Sequence, residues 1–520
     1  MSRGRLGALS VVGGMTLLSR VLGLVREVFF ARFLGAAGAM DAFVIAFQIP
    51  NFLRRMFAEG AFSQAFVPVL SEYRKNRPHD EVQGLVDRVA GSLTLVLFVI
   101  TVLGVIGAPV LIWLSASGFQ SEPDKFELAT DLLRITFPYL MFISLTALSA
   151  GILNTYDRFA VPAFTPVLLN VCLITAVIFG ALHTTEPVRV LAWGVFVAGA
   201  AQLFFQWPFL RRLRLLPRPK VNFRDDGVRR ILSLMLPAMF GASIAQINLL
   251  IDRRIAAELD EGSVSWLYFS DRLLEFPLGV FAIALGTVVL PGLSRRKAEA
   301  DADGFARTLD WGLRWVAVIA VPAACGLFVL AGPMIATVYL YGEFTPRDMD
   351  MVRIALMAYA LGLVGISMIK VLVPGYFARQ DTRTPVRIGV IAMLINVVAN
   401  IVLVAALVWA DQPAPHAGLA LATGLSAWIN ALLLLRGLRA KGVYRAGGGW
   451  WKLVCRVALA AITMSAVLWS FAGTGVDWFA MNSGVRVFRL TALIALGALI
   501  YGTVLFATGW RPREMLERPA

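Results

Sequence analysis

Long apolar segments recur along the whole chain and restrict its fold more than any other feature. Each run of 18 or more apolar residues can cross the hydrocarbon core of a bilayer, which is about 30 Å thick. The composition agrees, because 58% of the 520 residues are hydrophobic and only 16% are charged. A β-barrel is excluded, since its strands alternate apolar and polar residues, whereas these runs are continuous. The sequence therefore predicts an all-α polytopic membrane protein.

About 14 membrane helices are predicted from the positions of these runs. They lie near residues 9–33, 40–68, 90–114, 130–153, 162–183, 189–210, 231–256, 264–291, 311–331, 351–374, 386–409, 417–435, 454–472 and 488–508. The second and the eighth are unusually long. Pro50 and Pro277 are expected to kink them, because proline removes a backbone donor and clashes with the preceding turn.

Loop charge predicts the orientation of the chain. The basic loops comprise residues 73–81, 211–230, 294–307, 378–387 and 436–445, and the neutral or acidic loops comprise 115–127, 257–263, 341–350 and 410–418. Basic loops stay on the cytoplasmic side of a membrane, and this rule also accounts for the net charge of +15. Both termini are therefore expected in the cytoplasm, and no nucleic-acid partner is expected.

Short sequence matches recur at a nearly constant offset along the chain. "FVPVLS" at 66–71 matches "VLPGLS" at 289–294, and Asp157 in "GILNTYD" matches Asp381 in "GYFARQD". "LLN" ending at Asn170 matches "LIN" ending at Asn396. The common offset indicates duplication of a six-helix unit. Because six helices preserve orientation, the repeats are expected to be parallel, related by an axis along the membrane normal.

The duplication predicts the domain organisation. Residues 1–215 would form an N-lobe of helices 1–6, and residues 216–440 a C-lobe of helices 7–12. Residues 441–520 would add helices 13 and 14 and a cytoplasmic tail. The "GGG" run at 447–449, which precedes helix 13, is predicted to be a flexible linker.

Ionisable residues are rare at membrane depth and usually face a polar cavity. In this chain they concentrate in three predicted helices and near the end of a fourth. The set comprises Arg20, Arg26 and Glu27 in helix 1; Asp41, Arg54, Arg55 and Glu59 in helix 2; Asp271, Arg272 and Glu275 in helix 8; and Lys370 in helix 10. Helices 1, 2, 7 and 8 are the first pairs of the two repeats, and helical transporters commonly bind substrate where their repeats meet.

Spacing along the second helix predicts different roles for its charges. Arg55 and Glu59 are four residues apart, share one helical face and can pair. Arg54 is turned about 100° from them, so we expect it to contact a ligand. The alternative is that these charges only pair with one another across helices.

The other charged helices suggest what that ligand is. Glu275 can reach Arg272, three residues before it, or lie beside Asp271, four residues before it. Arg20 and Arg26 lie about 120° apart on their helix, so one of the two is expected to face a given site. A cavity lined by arginines suits a multivalent anion, because guanidinium donors match phosphate oxygens bidentately.

A smaller polar group consists of Asp252 in helix 7 with Asn396 and Asn400 in helix 11. The two asparagines are four residues apart on one face. Oxygen ligands of this kind could hold Na⁺. The pattern favours the alternative, an interhelical polar network without a metal.

The sequence lacks several catalytic motifs. No "GxxxxGK[ST]" loop is present, so no ATPase activity is encoded. The histidines His79, His183 and His416 lie in predicted loops, which argues against a Ser-His-Asp triad and a His/Cys metal cluster. We therefore expect a transporter rather than an enzyme, without a cofactor.

Four motifs resemble one known family. They are "SRVLGLVRE" (19–27), "DAFVIAFQIPNFLRRMFAEGAFSQAFVPVLSEY" (41–73), "GSVSWLYFSDRLLEFPLGVFAIALGTVVLPGLS" (262–294) and "KVLVPGYFARQDTRTPVRI" (370–388). They are similar to the MurJ (MviN) family of lipid II flippases, in the multidrug/oligosaccharidyl-lipid/polysaccharide exporter superfamily. The resemblance covers nearly the whole chain.

The resemblance implies a fold, a substrate and a set of site residues. Two six-helix lobes would enclose a central cavity, and helices 13 and 14 would form a groove for a polyprenyl tail. The substrate would be undecaprenyl-diphosphate carrying the disaccharide-pentapeptide peptidoglycan precursor, in a bacterial cytoplasmic (inner) membrane. The essential cavity charges of the family match Arg20, Arg26, Asp41, Arg54, Asp271, Arg272, Glu275 and Lys370.

The expected function is therefore lipid II translocation by alternating access. Arg26, Arg54 and Arg272 would hold the diphosphate and sugar head, supported by Arg20. Glu59, Asp271 and Glu275 would orient the arginines. Membrane potential or a monovalent ion would drive the cycle. The expected state is a monomer surrounded by membrane lipids, with cell-wall synthesis or division proteins as further candidate partners.

Other functions are weighed against this one. An exporter of another polyprenyl-linked oligosaccharide shares its chemistry. A drug/cation antiporter of the same superfamily needs an acidic or apolar cavity instead. A membrane-embedded glycosyl- or prenyl-transferase needs an acid/base pair or a long catalytic loop, and neither is visible in the sequence. A scaffold protein of the cell-wall machinery would not need charged residues inside the membrane.

Overall fold

The structure, a computed structural model, describes residues 3–56, 62–299, 301–473 and 475–511. Side chains are described in the same ranges outside 3–11, 236–238, 240–245, 280–288, 290, 298 and 476. Every regular element in these ranges is helical, which confirms the all-α class. The chain divides into two compact units, Met1–Ser265 with Tyr341–Phe344, and Trp266–Leu340 with Thr345–Ala520.

The first unit contains the helices up to α10. They are α1 (Arg3–Leu34), α2 (Gly38–Arg54), α3 (Ser63–Asn76), α4 (His79–Ile106), α5 (Ala108–Ser115), α6 (Pro123–Thr136), α7 (Tyr139–Thr155), α8 (Ala160–His183), α9 (Pro187–Arg212) and α10 (Asp226–Ala256), with a 3₁₀ turn at Ser117–Ser121. Helix α8 packs along both α1 and α9. A separate apolar cluster around Phe66, Leu85 and Ile152 joins α3, α4 and α7.

The second unit begins within α11. Its helices are α11 (Ser263–Ala298), α12 (Ala302–Val329), α13 (Ala331–Val338), α14 (Pro346–Phe377), α15 (Arg383–Trp409), α16 (Ala417–Ala440), α17 (Trp450–Ala472), α18 (Gly475–Ala480) and α19 (Ser483–Ala507). Helix α14 packs against α12 and α16. The approach of α14 to α16 requires glycine, because a Cβ on Gly362 would lie 2.4 Å from the Cα of Gly424.

Packing in these units groups the helices differently from the predicted repeats. Helix α10 packs with the first unit, and α17–α19 pack with the second. The compact units are defined by contacts between helices, whereas the predicted repeats are defined by sequence similarity between segments, so the two divisions need not agree. The division into 1–215, 216–440 and 441–520 therefore stays a prediction.

Helix starts recur at a constant offset along the chain. The pairs of first residues are His79 and Ala302 (α4 and α12), Ala108 and Ala331 (α5 and α13), Pro123 and Pro346 (α6 and α14), and Ala160 and Arg383 (α8 and α15), and the sequence separation is the same in all four pairs. This recurrence supports the predicted duplication.

The turns that end two helices refine the alignment of the repeats. The backbone is left-handed at Asp157 after α7, with φ +61°, and at Gln380 after α14, with φ +60°. These two positions are separated by the same offset as the helix starts. The sequence match of Asp157 with Asp381 is therefore wrong by one residue in structural terms, because side-chain identity and backbone turn do not coincide there.

Ten segments are long and apolar enough to cross a membrane, counted over the described residues alone. They are His79–Ile106, Pro123–Thr155, Ala160–His183, Pro187–Arg212, Ala302–Val329, Pro346–Phe377, Arg383–Trp409, Ala417–Ala440, Trp450–Ala472 and Ser483–Ala507. They coincide with predicted helices 3–6 and 9–14. The total of about 14 membrane helices stays a prediction.

The two predicted long helices have different outcomes. The eighth is confirmed, since α11 has 36 residues. The second, predicted over 40–68, is not one α-helix. Helix α2 ends at Arg54, the backbone widens into a π-helical turn at Arg55 and Met56, and α3 begins at Ser63. Such turns are rare and often occur at functional sites.

The glycine run at 447–449 is not a flexible linker, contrary to the prediction. The N–H of Gly447 donates to Asp310 Oδ1 at 3.3 Å, and the carbonyl of Gly448 accepts from Arg314 Nη2 at 2.7 Å. Gly449 has φ +81° and immediately precedes α17, as its N-cap residue. The glycine composition suggested flexibility, but Asp310 and Arg314 of α12, far earlier in the chain, hold this run in place.

Candidate functional site

Arg26 lies in a polar cluster between α1 and α8. Its Nε donates to Glu27 Oε1 at 3.2 Å, and its Nη2 pairs with the same carboxylate. Its Nη1 donates to Asn170 Oδ1 at 3.0 Å, and Asn170 Nδ2 donates to the carbonyl of Ser19 at 3.0 Å. Only 15% of the Arg26 side chain and 3% of the Glu27 side chain are exposed. The guanidinium is therefore charge-compensated and held in one orientation.

Asp41 is saturated by protein donors rather than open to a ligand. Its Oδ1 accepts from the N–H and the hydroxyl of Ser265 at 2.8 and 2.6 Å. Its Oδ2 accepts from the N–H of Gly262 at 2.8 Å and lies 3.3 Å from Lys125 Nζ. Asp41 is 1% exposed, and its contacts connect α2 with α6 and with residues 262–265.

The Asp41 contacts predict a large stability effect. Asp41→Ala should lower the free energy of unfolding by about 3 kcal/mol, because it leaves Lys125 buried with only Glu122, at 3.7 Å, as a counter-ion. The double variant Asp41→Ala with Lys125→Met should recover part of that loss. Thermal unfolding of the full chain in detergent measures both. Asp124→Ala, at the neighbouring position in α6, is the control and should unfold like the parent.

The π-helical turn carries the two adjacent arginines. Arg54 Nε donates to Asn51 Oδ1 at 2.8 Å, so Arg54 has a local acceptor, and its contact with a ligand stays a prediction. Arg55 Nη1 donates to Gln246 Oε1 on α10 at 3.3 Å. Glu59 lies outside the described residues, and its pairing with Arg55 stays a prediction.

The second unit contains a more exposed pair. Arg272 Nη1 donates to Glu275 Oε2 at 2.7 Å, which confirms the pairing that their three-residue spacing predicts. The guanidinium also lies over the ring of Tyr268, 5.1 Å from its centre. The exposed fractions are 27% for Arg272 and 51% for Glu275. This arginine is therefore oriented by its neighbours and still accessible.

Three other predicted residues lack an ion pair within the part of the chain that the structure describes. Arg20 and Lys370 are exposed, and Asp271 is half-buried. None of the three has its charge compensated by a described neighbour. Their roles in binding stay predictions.

The asparagines of the predicted sodium site are in contact. Asn400 Nδ2 donates to Asn396 Oδ1 at 3.1 Å, and both side chains are fully buried. Asp252 is buried on α10, in the first unit, whereas the asparagines belong to the second. Among the described residues, no group of three or more His, Cys, Asp or Glu side chains could hold a metal. The sodium site stays a prediction.

The predicted set lacks four polar residues that hold these charges: Asn51, Lys125, Asn170 and Gln246. Asn51 precedes Arg54 by three residues, a spacing that predicts contact. Asn170 stands out in the sequence as part of a repeat match. Lys125 and Gln246 carry no local signal, because the groups they contact lie far away in the sequence.

The fold and these charges define a class of protein. The chain is a multi-spanning helical membrane protein with a recurring helix order, and it keeps oriented arginines within helices that are otherwise apolar. Such residues at membrane depth are typical of transporters.

Comparison with known proteins identifies the family. The sequence model described as "Lipid II flippase MurJ" matches residues 30–488. A Vibrio cholerae protein named "Probable lipid II flippase MurJ" is 47% identical over 97% of this chain and 96% of its own length. The Burkholderia cenocepacia "Lipid II flippase MurJ" is 42% identical over 97% of each chain. The chain belongs to the MurJ family of lipid II flippases.

Solved structures agree with this assignment. The structure entitled "Lipid II flippase MurJ, inward closed conformation" superposes with a TM-score of 0.79 at 28% identity, over 95% of this chain and 97% of that one. A multidrug resistance MATE transporter in an inward-facing conformation gives a TM-score of 0.68 at 13% identity, over 84% and 98%. The second likeness concerns the fold alone.

Proposed function

We propose that this chain is a lipid II flippase. It moves undecaprenyl-diphosphate-linked peptidoglycan precursor from the cytoplasmic to the periplasmic leaflet by alternating access, as a transporter and not an enzyme. Membership of the MurJ family supports the substrate. The charged residues at membrane depth support the chemistry, because a diphosphate needs cationic donors away from bulk water.

One structural observation carries the proposal. The three arginines predicted to bind the head group are each held by an acceptor on their own helix. The pairs are Arg26 with Glu27, Arg54 with Asn51, and Arg272 with Glu275. Donors that are already oriented lose less conformational freedom when a phosphate arrives.

Exposure predicts which arginine changes partner most easily. An exposed ion pair contributes about 0.2–1 kcal/mol, whereas a hydrogen bond to a charged group contributes about 1.5–3 kcal/mol. Arg272 and its partner Glu275 are both partly exposed, so phosphate can replace the carboxylate at little cost. The pair of Arg26 with Glu27 is buried and costs more to open. Arg272 is therefore proposed to be the first arginine that the diphosphate contacts.

The driving force belongs to the same proposal. Membrane potential supplies about 2.3 kcal/mol per charge per 100 mV, enough to bias a cycle that moves net charge. Sodium coupling through Asp252, Asn396 and Asn400 is the alternative. The same proposal includes a monomer in the bacterial inner membrane with both termini in the cytoplasm. The basic loops support the orientation of the termini.

Transport in vesicles tests the proposal. The full chain is reconstituted with lipid II whose head group carries a label, and the fraction of label accessible outside the vesicles is followed over time. We expect faster transfer than in protein-free vesicles. No acceleration with lipid II would contradict the proposal, and acceleration only with another polyprenyl-linked sugar or a cationic drug would support the corresponding rival.

A further inference from the structure

The segment that follows each predicted six-helix repeat is hydrogen-bonded to an aspartate, and the two aspartates occupy equivalent positions in the two repeats. Asp87 lies in α4 and Asp310 in α12, each at the ninth position of its helix, so the two aspartates share the offset of the helix starts. Both side chains are mostly buried, with 4% and 10% exposed. Neither belongs to the predicted binding set.

In the first unit, Asp87 holds the segment between α9 and α10. Its Oδ1 accepts from the N–H of Arg218 at 2.8 Å, and its carbonyl accepts from the N–H of Lys220 at 3.0 Å. The adjacent Arg88 pairs with Asp225, the N-cap of α10, at 2.7 Å. The start of α10 is therefore fixed to α4.

In the second unit, Asp310 holds the segment between α16 and α17. Its Oδ1 accepts from Tyr444 Oη at 2.9 Å, from Trp450 Nε1 at 2.6 Å and from the N–H of Gly447 at 3.3 Å. Its Oδ2 accepts from Arg314 Nε at 2.7 Å. Burial and the hydrogen bond to Asp310 raise the pKa of Tyr444 well above its usual range, so its hydroxyl remains a donor.

At the far end, arginines perform an equivalent task on α5 and α13, whose first residues share the same offset. Arg254 of α10 donates to the carbonyls of Trp113 and Leu114 at the end of α5, at 3.3 and 2.5 Å. Arg486 of α19 donates to the carbonyl of Ala336 in the last turn of α13 and to that of Leu340 just after this helix, at 3.1 and 2.9 Å. Cations are favourable at helix C-termini, where carbonyls lack partners.

Between these ends, α17 and α19 pack on α12. The hydroxyl of Tyr501 donates to the carbonyl of Val318 at 2.7 Å. Leu453, Val457 and Leu505 form a buried cluster with Val318. The pair α17–α19 is thus attached to α12 and α13 along its length, as α10 is attached to α4 and α5 at its ends.

We propose that Asp310 and Arg486 are positioning residues for transport. They fix the pair α17–α19 to the second unit at both ends, in the manner that Asp87 and Arg254 fix α10 to the first. Neither touches the predicted binding arginines in the described residues, so their effect is indirect. Lipid II transfer is the functional readout, and to that extent the inference rests on the proposed function.

The physical reason lies in the other face of the pair. Ile462, Trp469, Phe488 and Leu499 are each more than 60% exposed, as suits a surface in contact with hydrocarbon. A helix pair that faces hydrocarbon keeps its position only if polar contacts hold it to the other helices, because hydrocarbon gives no hydrophobic driving force for helix association. Loss of either polar attachment should therefore let α17 and α19 shift.

Asp310→Ala is the principal test. Three donors and Arg314 lose their acceptor, so the opening equilibrium of residues 444–452 should rise roughly tenfold in hydrogen exchange followed by mass spectrometry. Lipid II transfer in vesicles should slow by about threefold or more. Asp310→Asn keeps Oδ1 as the acceptor of Tyr444, Trp450 and Gly447 but loses the acceptor of Arg314, so its exchange and transfer should lie between those of Asp310→Ala and of the parent.

Two further variants make the result decisive. Asp301→Ala removes an N-cap and an ion pair at the start of the same helix, without touching residues 444–452, and should transport normally. Arg486→Ala should raise exchange in 331–340 and 479–490 and slow transfer. If Asp310→Ala fails to accumulate in the membrane, Tyr444→Phe serves as the test variant instead. It removes one hydrogen-bond donor to Asp310 and leaves the aspartate in place.

The outcomes separate this inference from the proposed function. If the unmodified chain does not move lipid II, the proposed function fails, while the exchange data still test the attachment. The inference is overturned if Asp310→Ala leaves exchange or transfer unchanged, if Asp310→Asn does not rescue them in part, or if Asp301→Ala slows transfer equally.

Discussion

Arg272→Gln is expected to slow lipid II transfer roughly a hundredfold, because it removes two charge-assisted hydrogen bonds of about 1.5 kcal/mol each from the head group. Its effect on folding should be small, since the pair of Arg272 with Glu275 is partly exposed. Arg272→Lys keeps the charge but not the bidentate donors, so an intermediate rate is expected. The vesicle assay and the amount of protein in the membrane give both quantities.

Charge reversal distinguishes ligand binding from simple pairing. The double variant Arg272→Glu with Glu275→Arg restores the ion pair in the opposite direction. It should remain inactive if Arg272 holds phosphate. Recovered transport in this variant would mean that the pair is only structural. Arg295→Gln is the matched control, because Arg295 lies in the same helix with its own exposed partner, Glu299, and it should transport normally.

Arg26→Gln is expected to abolish transport and also to destabilise the protein, by about 3–5 kcal/mol. The reason is that Glu27, only 3% exposed, would lose the cation that compensates it. Asn170 would also lose the donor to its amide oxygen. Complementation of a flippase-depleted strain measures the first effect, and thermal unfolding of the purified chain measures the second.

A second variant separates these two effects. Arg26→Gln with Glu27→Gln removes both charges, so thermal stability should return towards that of the parent. Transport should stay absent, because the guanidinium of Arg26, which the proposal assigns to the diphosphate, is missing. Growth of the strain with this double variant would remove Arg26 from the binding mechanism. Arg32→Gln, in the last turn of the same helix, is expected to complement normally.

Helix positions were largely predictable from the sequence. The run predicted at 162–183 corresponds to α8 at Ala160–His183, and the run at 386–409 to α15 at Arg383–Trp409. A membrane helix satisfies its backbone hydrogen bonds internally, so its extent depends on the local apolar run. The pair of Arg272 with Glu275 was also predictable, because both residues lie on one helix and their spacing puts them in contact.

Contacts between distant segments were not predictable. Asp41 receives its donors from Lys125, Gly262 and Ser265, all of which lie far along the chain from it. The sequence pattern marked Asp41 as a cavity charge but contained no sign of these partners. The glycine run before α17 was misjudged because Asp310 and Arg314, which order it, belong to another helix.

Apolar run length, loop charge and repeat spacing indicated a duplicated helical membrane transporter with arginines at membrane depth. The membrane helices follow from the energy of placing each segment in hydrocarbon, which depends on that segment alone, and the duplication follows from the comparison of segments along the sequence. Tertiary packing decided which acceptor orients Arg26, that Asp41 connects α2 with α6, and that α10 and α17–α19 attach to equivalent helices. Such outcomes depend on hydrogen bonds between groups far apart in the chain, and only the folded arrangement brings those groups within reach.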